Sequence, residues 1–89
     1  MIRRTSHFSG RVQGVGFRYS ARAEAARLGV AGQARNRDDG AVDVVVEGDA
    51  ASVAAMLDWL AIGPPGARVE SVEVSELTPT GWDRFVIVG

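Results

Sequence analysis

Between Gly10 and Tyr19 the sequence reads GRVQGVGFRY, three glycines in seven residues followed by an arginine at position 18. Gly14 and Gly16 carry no Cβ, so the backbone from Gln13 through Val15 to Phe17 is free to turn its N–H groups toward one point. Successive N–H groups in such a loop, joined by the unpaired donors of a helix N-terminus, form a concave anion site. Arg18 would add a planar fork of donors to the same anion. At the positive end of a helix dipole that guanidinium is mildly unfavourable unless something negative faces it, and no carboxylate occurs before Glu24. The partner this arrangement asks for is a ligand, most naturally a phosphoryl group. Glycine spacing alone does not decide the matter, since two glycines also suit a tight turn and an arginine suits an exposed helix face.

The rest of the chain offers few other routes to chemistry. There is no cysteine and all ten basic residues are arginine. That excludes thiolate nucleophiles, disulfides, Cys-based metal sites, a P-loop lysine and a Schiff-base lysine. The one histidine, His7, falls on a strand with no nucleophile-elbow motif beside it and reads as a residue of the solvated sheet face. Asp38, Asp39, Asp43, Glu47 and Asp49 gather acidic groups, but their spacing matches no loop of regularly placed oxygen ligands. They read as turn residues, solvated strand positions and a helix cap, and no metal or other cofactor is expected. Trp59 reads as core or core edge, and neither it nor Trp82 reads as a stacking platform.

These residues must be positioned by one small fold. At 89 residues, with 46% hydrophobic and 24% charged composition, the chain is expected to form a single globular domain over 1–89. Net charge −1 and a pI of about 5.7 give no general positive field, so neither nucleic acid nor membrane is expected as a partner. No apolar run suits a signal segment or a membrane span, which makes a cytoplasmic monomer the expectation.

Alternation over residues 2 to 12 predicts a strand with Ile2, Phe8 and Val12 on one face. Phe17, Ala21, Ala25 and Leu28 fall at helical spacing, with Gly29 as a stop. Residues 30 to 36 and 41 to 48 flank RDDG and predict a hairpin closed by an Asp-Gly turn. Asp49 is expected to cap a second helix with the stripe Val53, Met56, Leu57 and Leu60, ending before GPPG at 63 to 66. Residues 68 to 77 read as a strand in which Val69 and the pair Val72 and Val74 lie on opposite parities, implying a bulge or offset start. Phe85 to Val88 adds a short final strand. The order is that of an α+β, ferredoxin-like βαββαβ sandwich: an antiparallel sheet, two helices on one face, and a short extra C-terminal strand.

Two segments carry a resemblance. GRVQGVGFR at 10 to 18 resembles the signature loop of acylphosphatases, and GQARNRDDGAV at 32 to 42 resembles their second signature. The likeness covers essentially the whole chain. It implies that the loop Gln13, Gly14, Val15, Gly16, Phe17 and Arg18 binds phosphate, that Arg18 is the phosphate-binding arginine, and that Asn36 positions water. It also implies hydrolysis of small-molecule acylphosphates to a carboxylate and inorganic phosphate. Gln33 stands where the family commonly has an aromatic, and Gly16 where several members carry one; both bear on substrate preference.

The scarcity of acid–base groups is compatible with that substrate. An acylphosphate leaves as a carboxylate whose conjugate acid has a pKa of about 4 to 5, so departure needs no general acid. An alkyl phosphate ester would normally need a proton donor or metal. The alternative is a non-catalytic small-ligand or RNA-binding module of the same fold. GVGF at 14 to 17 faintly resembles an RNA-recognition motif, but that motif belongs on the third strand and this one follows the first.

Overall fold

A computed structural model of the chain describes residues 1–89. Five strands and two helices follow in the order β1 (Ile2–Arg11), α1 (Phe17–Leu28), β2 (Ala31–Asn36), β3 (Val42–Gly48), α2 (Ala50–Ile62), β4 (Arg68–Leu77) and β5 (Phe85–Val88). The sheet order is β4-β1-β3-β2-β5. Phe8, Val42, Val44, Val46 and Ala34 project from the sheet onto Phe17, Ala21 and Ala25 of α1 and Val53, Met56 and Leu60 of α2, forming one buried cluster. The stripes expected from helical spacing are therefore the core faces. Neither helix is long and apolar enough to cross a membrane.

The expected bulge is present. Ser9 pairs with Ser71 but Gly10 pairs with Val69, so Glu70 is the extra residue on β4. Gly10 permits the close approach: a Cβ there would lie 2.2 Å from the Arg68 carbonyl oxygen, and its φ of +119° disfavours any side chain.

β1, β3, β2 and β4 pair antiparallel, as alternation and hairpin chemistry imply, whereas β5 joins β2 in parallel, making the sheet mixed. The reason lies in the connection from β4. β4 ends beside Arg3 and β5 begins beside Gly32, at the same end of the sheet but on opposite edges. Four strand spacings amount to about 19 Å, and a linker over 78–84 reaches about 26 Å when extended. The linker thus crosses directly along that end, and β5 enters the sheet in the direction of β2.

Glu47 holds this crossing. Its carboxylate accepts backbone N–H groups from Thr80 (2.9 Å), Gly81 (2.6 Å) and Trp82 (3.1 Å), and the guanidinium of Arg3 at 3.1 Å. The Trp82 ring lies over the Arg3 guanidinium, 4.2 Å from its carbon to the ring centroid. The expectation of a solvated Glu47 is corrected here: it is 1% exposed. Parity placed it on the face away from the helices, but the linker covers that face. Asp49 also differs from expectation. It occupies the α2 N-cap position, yet its side chain makes no capping hydrogen bond, and the first helical bond runs from Val53 N–H to the Asp49 carbonyl. His7 lies on the open face, half-buried, with Nδ1 2.8 Å from Asp43 Oδ1.

The N–H groups of Thr80 and Gly81, with Arg3, hold the Glu47 carboxyl at about 2, well below its ordinary 4.5. Its contribution to stability is complete above pH 4.5, declines as the pH falls toward 2 and is lost below that. Denaturant midpoints measured across this window should fall with pH, and Glu47→Gln should flatten that fall. An unchanged pH slope in Glu47→Gln would refute the assignment.

Candidate functional site

The site lies at the end of the sheet opposite the Glu47 crossing, where β1 and β2 end. Val12, 1% exposed, anchors the chain in the core before the loop begins. Gly14 and Gly16 both adopt left-handed backbone, φ +76° and +75°, and nothing lies within 4 Å of where their Cβ atoms would be. The backbone at both is open to an approaching ligand. The N–H groups of Gly14, Val15 and Gly16 have no partner in the protein. Those of the first turn of α1 have no intrahelical acceptor, the first helical bond being Ser20 N–H to the Gly16 carbonyl at 2.9 Å. Alternation through left-handed glycines into a helix N-terminus leaves a concavity of unpaired N–H donors, a geometry suited to an anion.

Phe17 fixes that helix start. It is 2% exposed and packs at tilted angles against Phe8 and Trp59, with ring centroids 5.7 and 6.3 Å away. Trp59 is thus at the core edge, as its helical position implied. Arg18, next in the chain, is half-buried and donates from Nη1 to the Gly89 carbonyl oxygen at 3.2 Å. Parallel entry of β5 is what brings that acceptor to Arg18. A guanidinium carries five N–H donors, so most of the fork stays free.

Asn36 ends β2 and pairs with Val42 across the hairpin. Its side-chain amide has no hydrogen-bond partner in the protein. Gln13, Gly14, Gly16, Phe17, Arg18 and Asn36 line one cavity of about 190 Å³, so residues from two separate signatures converge. No carboxylate or histidine lines it; Arg18 is its only charge. Tyr19, 60% exposed, stands in the same lining. Val15 does not line it, because its side chain packs against the core.

Two departures noted in the sequence receive structural accounts. Gly16 is the left-handed N-cap of α1, where a side chain would be strained. Gln33 pairs with Val45 and Val86 and is absent from the cavity lining. A larger hollow of about 410 Å³ lies beside Arg22, Trp82 and Arg84, remote from the glycine loop. Neither the glycine-loop residues nor Asn36 line it. No group of three or more His, Cys, Asp or Glu residues is arranged to hold a metal ion.

Sequence reasoning missed what the side chain of Gln13 does: Nε2 donates to the Arg37 carbonyl at 2.7 Å and the Ala41 carbonyl at 3.0 Å. The only available signal was a long amide immediately before a glycine loop.

Known proteins resemble this chain in sequence and in fold. Residues 5–87 match the family model described as Acylphosphatase. The acylphosphatase of Thermococcus kodakarensis is 52% identical over 80 residues, covering 90% of this chain and 88% of that protein. The crystal structure of the Bacillus subtilis acylphosphatase superposes with a TM-score of 0.96 at 37% identity, covering all of both chains. That of an acylphosphatase from Coxiella burnetii gives a TM-score of 0.93 at 33% identity, covering 98% of this chain and 92% of that one. With its two signatures meeting at one cavity and its fold matched along its full length, the chain belongs to the acylphosphatase family.

Proposed function

We propose that this acylphosphatase holds the phosphoryl group of a small-molecule acylphosphate on the N–H groups of the 13–18 loop and on Arg18, while Asn36 positions the attacking water. The observation that carries this reading is the convergence of unpaired loop N–H groups, a half-buried arginine and an unpartnered asparagine amide on one cavity. Phosphoryl transfer depends chiefly on alignment and on stabilising charge over the equatorial oxygens, which N–H groups and a guanidinium supply. The Asn36 amide orients water without setting a negative charge beside the incoming dianion. Water adds to phosphorus, the P–O bond to the acyl oxygen breaks, and the carboxylate leaves without protonation. The water's proton passes to a phosphate oxygen, giving inorganic phosphate.

We further infer a cytoplasmic monomer, residues 1–89 acting as one domain with no nucleic-acid partner. The open sheet face carries Thr5, Val45, Gln33 and Val86 in one row and His7, Asp43 and Arg35 in the next, rows without an aromatic on which bases could stack, while Trp82 beside them is stacked on the Arg3 guanidinium. β4, one of the two edge strands, bears Glu70, Glu73 and Glu76, charges that oppose pairing with a second copy.

The purified protein is expected to hydrolyse acetyl phosphate and benzoyl phosphate with no loss of rate in chelator, and to act little on p-nitrophenyl phosphate. Loss of turnover in chelator with rescue by Mg²⁺ or Zn²⁺ would overturn the mechanism. Binding of single-stranded RNA without acylphosphate turnover would overturn the function.

A further inference from the structure

We propose that Gln13 is a positioning residue, whose side-chain amide sets the distance between the phosphate cradle and the Asn36 amide. This rests on the reading that Asn36 holds the attacking water. The cradle follows β1 and Asn36 ends β2, yet β1 and β2 are not neighbours; β3 lies between them. Both strands pair with Val42 of β3, β1 through Phe8 and β2 through Asn36, but β1 runs on beyond that pair, so no ladder holds the loop at 13–18 against the end of β2. Gln13 spans the gap.

Its Nε2 donates to the carbonyls of Arg37, the residue directly after Asn36, and of Ala41, directly before β3. Only the NH₂ end of the amide suits two carbonyl acceptors, and both its protons are used. The acceptors are themselves locked together. Arg37 N–H donates to the Ala41 carbonyl at 2.8 Å, and Gly40 N–H to the Arg37 carbonyl at 3.2 Å. On its other side Gln13 is joined to buried Val12 and leads into Gly14, so one side chain ties the start of the cradle to the residue after Asn36. No other side-chain hydrogen bond joins residues 12–17 to residues 36–41.

In-line attack needs water and phosphorus held in register, and a displacement of about 1 Å can cost on the order of 10²-fold in rate. Removing the Gln13 amide leaves the loop N–H groups, Arg18 and Asn36 in place and loosens only their spacing. The loss should then appear in kcat and not in phosphate binding.

The test compares Gln13→Ala and the similarly long, uncharged Gln13→Met, which has no N–H donors, in assays with acetyl phosphate. Both are expected to lose about 10- to 100-fold in kcat, with KM and the thermal shift produced by inorganic phosphate changed less than about threefold. In an Asn36→Ala background, Gln13→Ala should cost less than about threefold, because the group it positions is gone. Melting curves identify folded variants, and should Gln13→Ala fail to fold, Gln13→Met carries the comparison. Near-normal kcat in folded Gln13 variants, or an equal loss with and without Asn36, overturns the positioning role. Normal kcat in Asn36→Ala would instead overturn the assignment of the water site.

Discussion

Asn36→Ala is expected to lower kcat for acetyl phosphate by about 10²- to 10³-fold, equivalent to roughly 3 to 4 kcal/mol of barrier. The asparagine lines the cavity with an amide that makes no hydrogen bond inside the protein, so its truncation breaks no internal network. Its backbone stays paired with Val42. In the proposed mechanism what disappears is the group that orients water, whereas the loop N–H groups and Arg18 still hold the phosphoryl oxygens. Phosphate affinity should accordingly survive, and single-turnover rates should fall as far as steady-state ones. A kcat near that of the unmodified protein would assign the water to another residue.

Arg18→Ala is expected to be at least as damaging, by a different route. The guanidinium is the only charge in the cavity lining, and in the proposed mechanism it both binds the dianion and stabilises charge in the transition state. Its loss should lower kcat/KM by about 10³-fold. Inorganic phosphate gives a second readout. At ~10 times its Kd it stabilises the folded protein by roughly 1.4 kcal/mol, several degrees in Tm for a domain of this size. Sulfate should act similarly and chloride at matched ionic strength should not, because the site is a local nest and not a diffuse field. Arg18→Ala should abolish most of this shift and Asn36→Ala should preserve it. A full shift in Arg18→Ala would mean that the anion binds elsewhere.

The parts of this molecule legible in its sequence are those written in local chemistry. Helical spacing of Phe17, Ala21 and Ala25 found α1, the DDG turn found the β2–β3 hairpin, and opposed valine parities found the bulge at Glu70. The candidate site was legible because glycine conformation, an arginine at a helix start and an asparagine before a turn are each local features. What stayed hidden depends on surfaces brought together by the whole chain. Alternation says which face of a strand Glu47 occupies but not that the linker lies across it. TPTGWD has turn composition and no period, so neither its path nor the resulting direction of β5 could be read. The Gln13 amide was invisible for the same reason: its acceptors are carbonyl oxygens, which every residue possesses.

The strand order also governs when the molecule can assemble. β1 lies inside the sheet, yet its pairing with β4 joins residues 3–11 to residues 68–77, and its other neighbour is β3 rather than anything adjacent in the chain. A polypeptide emerging from the ribosome exposes β1, with Ile2 and Phe8 among its apolar residues, long before β4 has been made. Closing such distant pairs costs loop entropy before their contacts repay it, which slows folding relative to helical domains of equal length. The loop after β1 therefore takes its place only once β4 is available to pair. Until then the nascent chain carries both signatures of the enzyme and none of its site.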